Sequence, residues 1–179
     1  PKAYLTPDAT ADFSKVTFRQ IGENQVRAEH ATTHGRPETL KVSVGYKDCF
    51  IGEGEISYGG SNCMARAELA AEILEKRIEL TGIELEEYRT DFIGCNSLYR
   101  DAISKEIGSG TPCEVCLRAA GRTKDRKNAV LLANEVEALY TNGPAGGGGA
   151  VKRVSEIVSV CSIFVPRDAV EAKVTFREV

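Results

Sequence analysis

Between residues 39 and 165 the apolar residues of this chain alternate between a period of two and a period near 3.6. That succession narrows the fold more than any other feature. Over 39–47, Leu40, Val42, Val44 and Tyr46 share one face and polar residues or glycine the other, which predicts a strand. Over 62–81, Ala67, Ala70, Leu74 and Ile78 recur at helical spacing, with Ser61 as the expected N-cap and Gly82 as the stop. Strands are predicted at 87–94 (Tyr88, Thr90 and Phe92 inward) and 113–123 (Cys113, Val115, Leu117 and Ala119 inward). The second of these carries Arg118 and Arg122 on its other, wet face. A helix follows over 124–140, with Ala129, Leu132, Val136 and Leu139 inward and Gly143 past its end. Residues 154–165 are apolar on both faces and predict a central strand. The order strand, helix, strand, strand, helix, strand predicts an α+β fold with a ferredoxin-like split βαβ (βαββαβ) core. A β-hairpin over 15–30, turning at Gly22-Glu23-Asn24, and a C-terminal strand over 173–179 are expected to extend its sheet.

Residues 1–14 read as a linker from an upstream α/β half, and 15–179 as a single α+β domain. A hydrophobic content of 42% is enough for one sizeable core. The net charge of −3 gives no electrostatic footprint for nucleic acid or an anionic membrane. No apolar run reaches the ~18 residues of a transmembrane helix. Six cysteines in a chain of 179 residues predict free thiols and a cytoplasmic protein, not a disulfide framework. Cys113 and Cys116 have redox or zinc spacing, but residues three apart in a strand face opposite ways.

The topology predicts that three polar or glycine-rich loops, 48–61, 95–111 and 142–152, gather at one end of the sheet. A ligand-binding set follows from that: Ser57, Tyr58, Gly59, Gly60, Ser61, Asn62, Asn142 and the run Gly146, Gly147, Gly148, Gly149. Residues 59–62 enter a helix N-terminus, where free N–H groups favour an anion. Ordering four consecutive glycines is costly, so either that loop is free to move or its backbone must approach something closely. Glu53 and Glu55, two apart in the first loop, could serve as general acid, base or hard-metal ligand, or stay solvated. His30 and His34 lie away from these loops, which argues against a Ser–His or Cys–His catalytic pair. No metal or cofactor is identified by the residues.

The motifs Ala3-Tyr-Leu-Thr-Pro-Asp8, Val42-Ser-Val-Gly-Tyr-Lys-Asp48, Ile51-Gly-Glu-Gly-Glu-Ile-Ser-Tyr58 and Glu135-Val-Glu-Ala-Leu-Tyr-Thr-Asn-Gly-Pro-Ala-Gly-Gly-Gly-Gly-Ala150 resemble the acyclic terpene utilisation (AtuA-like) family. The resemblance runs nearly end to end and covers the C-terminal half of that family's large conserved region. It implies a bacterial or fungal cytosolic protein that works with an upstream half in catabolism of branched terpenoids through acyl-CoA intermediates. Gly59-Gly-Ser-Asn-Cys63 departs from the family's Gly/Pro/Ala-rich version.

Two functions are expected from these readings. In the first, the chain is the C-terminal subdomain of a catabolic protein, binding a small-molecule carboxylate or CoA thioester with Glu53 or Glu55 as the catalytic carboxylate. In the second, it is a non-catalytic module for assembly, packing into a homo-oligomer through its glycine loop.

Overall fold

A computed structural model of the chain describes residues 1–107 and 112–178. It contains nine strands and three α-helices among those residues, and its contacts gather in two units, 1–46 with 160–179 and 47–159.

The first unit begins with strands β1 (Tyr4–Leu5) and β2 (Thr10–Asp12), within the stretch read as a linker. Strands β3 (Thr17–Gly22) and β4 (Gln25–Glu29) pair as the expected hairpin, and β5 (Thr32–His34) pairs antiparallel with β2. Asn24 takes the left-handed conformation that the tight turn requires, with φ 55°. The hairpin forms a two-stranded sheet of its own, and β1, β2 and β5 form another, so neither extends the main sheet. Residues 173–178, expected as a strand, have no strand assignment; Val179 lies outside the described residues. The chain instead makes a short 3-10 turn at Arg167–Ala169, where Arg167 donates to the carbonyls of Pro7 and Pro37.

The main sheet is built from β6 (Thr39–Gly59), β7 (Glu87–Ile93), β8 (Glu114–Thr123) and β9 (Gly147–Pro166), in the order β7-β8-β6-β9. Both β6 and β7 run antiparallel to β8. Helices α1 (Cys63–Thr81) and α3 (Arg126–Asn142) both pack on β8 and on each other, which puts the core of the second unit on one face of the sheet. Its fully buried residues include Ile56, Tyr58, Leu74, Leu117, Val136 and Leu139. A short helix, α2 (Arg100–Ile107), lies between β7 and β8 in the chain. The polar loop expected over 95–111 therefore holds two helical turns, and its residues 108–111 lie outside those described.

The helices end as read and begin differently. Gly82 caps α1 in the left-handed region (φ 65°), giving its N–H to Ile78 and Glu79. Ser61 is not the N-cap; Asn62 holds that position with φ 57° and makes no side-chain cap. Asp125 caps α3, its side chain accepting from the Lys127 N–H at 2.8 Å.

The largest correction concerns β6. The stretch read as a loop from residue 48 is strand to Gly59, paired residue for residue with β8 from Phe50–Thr123 to Gly59–Glu114. Its glycines are there for close packing: a Cβ on Gly52 would stand 2.1 Å from the carbonyl oxygen of Ala129, and one on Gly54 would stand 2.5 Å from Val136 Cβ. Helix α3 rests directly on the strand backbone at these points. The strand expected to be central, β9, is the end strand of the sheet, and Val151 and Val158 on it are 59% and 63% exposed.

Candidate functional site

With Ile56 and Tyr58 buried toward the helices, strand alternation turns Glu53, Glu55 and Ser57 to the opposite face. The same rule places Arg118 and Arg122 of β8, and Arg89 and Asp91 of β7, on that face. Asp91 stands directly opposite Arg118 in the ladder, and Arg118 opposite Glu55. This register assembles a compact ionic centre. Arg118 donates through Nη1 to Asp91 Oδ2 at 3.1 Å and through Nε to Glu53 Oε1 at 2.6 Å. Arg89 Nε donates to Asp91 Oδ1 at 2.7 Å, and Arg100 Nη1, from the first residue of α2, lies 3.1 Å from the same oxygen. Arg100 takes a left-handed backbone, φ 56°. Asp91 is only 3% exposed, covered by the guanidiniums it holds. The hydrogen bond to Glu53, ahead of the charges of Glu53 and Asp91, raises the Arg118 pKa further above its ordinary value.

A groove of about 770 Å³ opens beside this centre, lined by Arg89, Arg100 and Arg118 together with Ile51, Ala120 and Arg122. That is within the range of a metabolite site. Around Arg122 the charges reverse in balance. Its Nη2 donates to Asp48 at 2.9 Å, and Glu86 and Glu87 lie 3.3 and 3.6 Å from its other nitrogens. Asp48 also accepts from Ser159 Oγ at 2.6 Å and Lys124 Nζ at 3.1 Å. Those two hydrogen bonds, Ser159 first, hold the Asp48 carboxyl below its ordinary pKa.

The model of the acyclic terpene utilisation family protein AtuA matches residues 1–176, nearly the whole chain. The chain belongs to this family. No curated protein and no solved structure matches it.

In this AtuA-family chain the residues expected to form one site fall in two places. Glu53 and Glu55 are strand residues on the open face; with Lys152 and Arg153 they line a second cavity, of about 70 Å³. Ser57 is also on the strand, opposite Cys116, whose thiol pKa burial pushes up. Of the others, Gly59 and Ser61 are tied to the segment that enters the glycine run by Arg66 of α1. Its Nη1 donates to the Ala145 carbonyl at 2.9 Å and its Nη2 to the carbonyls of Gly59 and Ser61, the latter at 3.2 Å. Arg66 also lies over the Tyr58 ring, 5.8 Å from its centroid. Tyr58 is fully buried and its hydroxyl has no hydrogen-bond partner among the described residues.

Gly147, Gly148 and Gly149, expected in a loop, open strand β9, and the run touches the core at Gly147. Gly146 and Gly149 take positive φ, 79° and 64°, and a Cβ on Gly147 would come within 2.8 Å of Ile56 Cδ1. Gly60 also has positive φ, and Asn142 closes α3. A Cβ on Gly148 would meet nothing within 4 Å among the described residues. Sequence reading missed Asp91, Arg89 and Arg100, and took Arg118 and Arg122 as a wet sheet face. The alternation of Arg89 with Asp91 carried a signal, but their convergence with Arg118 depends on pairing 27 residues away. Among the described residues no helix is long and apolar enough to cross a membrane, and no cluster of three or more His, Cys, Asp or Glu gathers as a metal site.

Proposed function

We propose that this AtuA-family chain serves acyclic terpene utilisation as an anion-binding subdomain. It takes a carboxylate or acyl-CoA-type metabolite in the arginine-lined groove and acts together with an upstream half of the same protein. One observation carries the reading: Arg89, Arg100 and Arg118 converge on Asp91 beside a groove of metabolite size. Guanidinium forks recognise carboxylates and phosphates in bidentate geometry. A buried carboxylate that fixes three of them prepares that geometry before a ligand arrives. Glu53 holds Arg118 in place here, which supports a positioning role for it over proton transfer. The sheet order β7-β8-β6-β9, with both helices on β8, supports a ferredoxin-like reading of the second unit.

Isothermal titration of the protein with short-chain carboxylates and their CoA thioesters tests this. We expect saturable binding by at least one of the two classes. A further expectation is that Arg118→Gln weakens it by about 1.5–3 kcal/mol, the range for a hydrogen bond to a charged group. Absence of binding by either class would sink the reading.

The alternative, an assembly module, is favoured by a different feature. Strands β3 and β4 form a hairpin exposed along almost its whole length, with Phe18 73% and Val26 63% exposed. An isolated hairpin is marginal in water, so a partner would stabilise it. Solution mass decides: a monomer across the micromolar range removes support for self-assembly.

A further inference from the structure

We infer that two copies of this chain dimerise through the free edge of β9, which pairs antiparallel with itself about a two-fold axis at Val154. The inference is independent of the anion-binding reading and concerns a surface other than the β3–β4 hairpin. Because β9 ends the main sheet, one row of its backbone N–H and C=O groups faces no neighbouring strand. Val151 and Val158 stand 59% and 63% exposed along it.

The order of charges on the strand selects a second copy as the occupant. When a strand pairs with its own copy about an axis normal to the sheet, directly opposite residues share a face, so the axis passes through a residue. Lys152 and Glu156 lie on one face of β9 with Val154 midway between them. An axis at Val154 sets each Lys152 opposite the partner's Glu156, which makes two opposite-charge pairs in one interface. No other axis on this strand does so. The same register lays Val151 against the partner's Ile157 and Ala150 against the partner's Val158, so the exposed valines gain apolar neighbours. Arg153 falls opposite the partner's Ser155, and no like charges meet. Gly149, with φ 64°, interrupts the extended backbone just before Ala150, so the ladder runs from Ala150 to Val158 and is centred on the axis. Within the chain Lys152 is held by Asn134 and Glu137 of α3, and Glu156 by Lys47 at 2.9 Å. Both side chains nevertheless remain 44% and 45% exposed, open to a further partner. No residue of β9 lines the arginine-rich groove, so the contact leaves that groove clear.

The test is sedimentation equilibrium across the micromolar range on wild type, on Lys152→Glu, on Glu156→Lys and on an equimolar mixture of the two variants. Wild type should dimerise within that range. Each variant alone replaces two attractive pairs by two repulsive ones and should dimerise about tenfold more weakly. In the mixture one chain carries two glutamates and the other two lysines, so both cross-strand pairs are complementary again and a heterodimer should form with the affinity of wild type. The contacts each side chain makes within its own chain are the same in the mixture as alone, so recovery on mixing reports the interface. A wild-type monomer throughout would overturn the inference. A dimer indifferent to both variants would move the contact off β9, and weakening without recovery on mixing would overturn the register at Val154. Should either variant fail to fold, Ser155→Glu carries the test: it faces the partner's Arg153 in this register and should tighten the dimer, and an unchanged or weaker dimer would overturn the pairing.

Discussion

Asp48 shows how one side chain in this molecule is tuned by residues far along the chain. Ser159, 111 positions away, gives it the hydrogen bond that contributes most to lowering its pKa, and Lys124 the next. Because the folded pKa is depressed, the stability this carboxylate contributes is full above its unfolded pKa. It is lost as pH falls through the lower folded value. Ser159→Ala should move the Asp48 midpoint upward toward the ordinary aspartate range, so that acid destabilisation begins at higher pH. A carboxyl-carbon NMR titration of wild type and variant reads the midpoint directly; an unchanged value would show that Ser159 is not the dominant partner. None of this is visible in sequence, where Ser159 is one polar residue in a strongly apolar segment. The same holds for Glu53 and Arg118, 65 positions apart, whose pairing depends on strand register.

At the scale of elements, glycine separates what was legible from what was not. Helices α1 and α3 were readable because their buried residues repeat at helical spacing and Gly82 and Gly143 mark ends that the structure keeps. Strands β7 and β8 were readable by alternation. The second half of β6 was not, because Gly52 and Gly54 look like loop residues until the helix lying on them is known. The glycine run was equally ambiguous, and close approach to the core holds at Gly147, packed on Ile56, while a Cβ on Gly148 or Gly149 would meet nothing within 4 Å among the described residues. Gly54→Ala should therefore destabilise the protein as an overpacked core position does, by about 1–3 kcal/mol. Chemical denaturation measures the change. A variant as stable as wild type would mean that α3 can lift off β6 without cost.

Across the whole molecule the six cysteines are free, as composition indicated, and they divide by environment. Cys113 and Cys161 are exposed, and Cys49 and Cys63 are buried. Cys95 and Cys116 lie between, and burial is the first cause raising their pKa values, which lowers the thiolate fraction at neutral pH. A thiol reagent at neutral pH should label Cys113 and Cys161 first, Cys95 and Cys116 slowly, and Cys49 and Cys63 only after denaturation. Peptide mapping by mass spectrometry assigns each phase, and early labelling of Cys63 would contradict the packing of the α1 N-terminus. Composition alone predicted reduced thiols; it had no means of ranking them, since rank depends on which strand face or helix turn each occupies.

The sheet ends at β9, and that position has a colloidal consequence. An end strand leaves one row of backbone donors and acceptors open, and β9 carries exposed Val151 and Val158 along the same stretch. The opposite edge, β7, sets Glu87 and Arg89 beside its open row. A second strand of any origin would thus find β9 the more receptive template. Protein concentration, ahead of temperature, is the variable that should govern how long this chain stays dispersed.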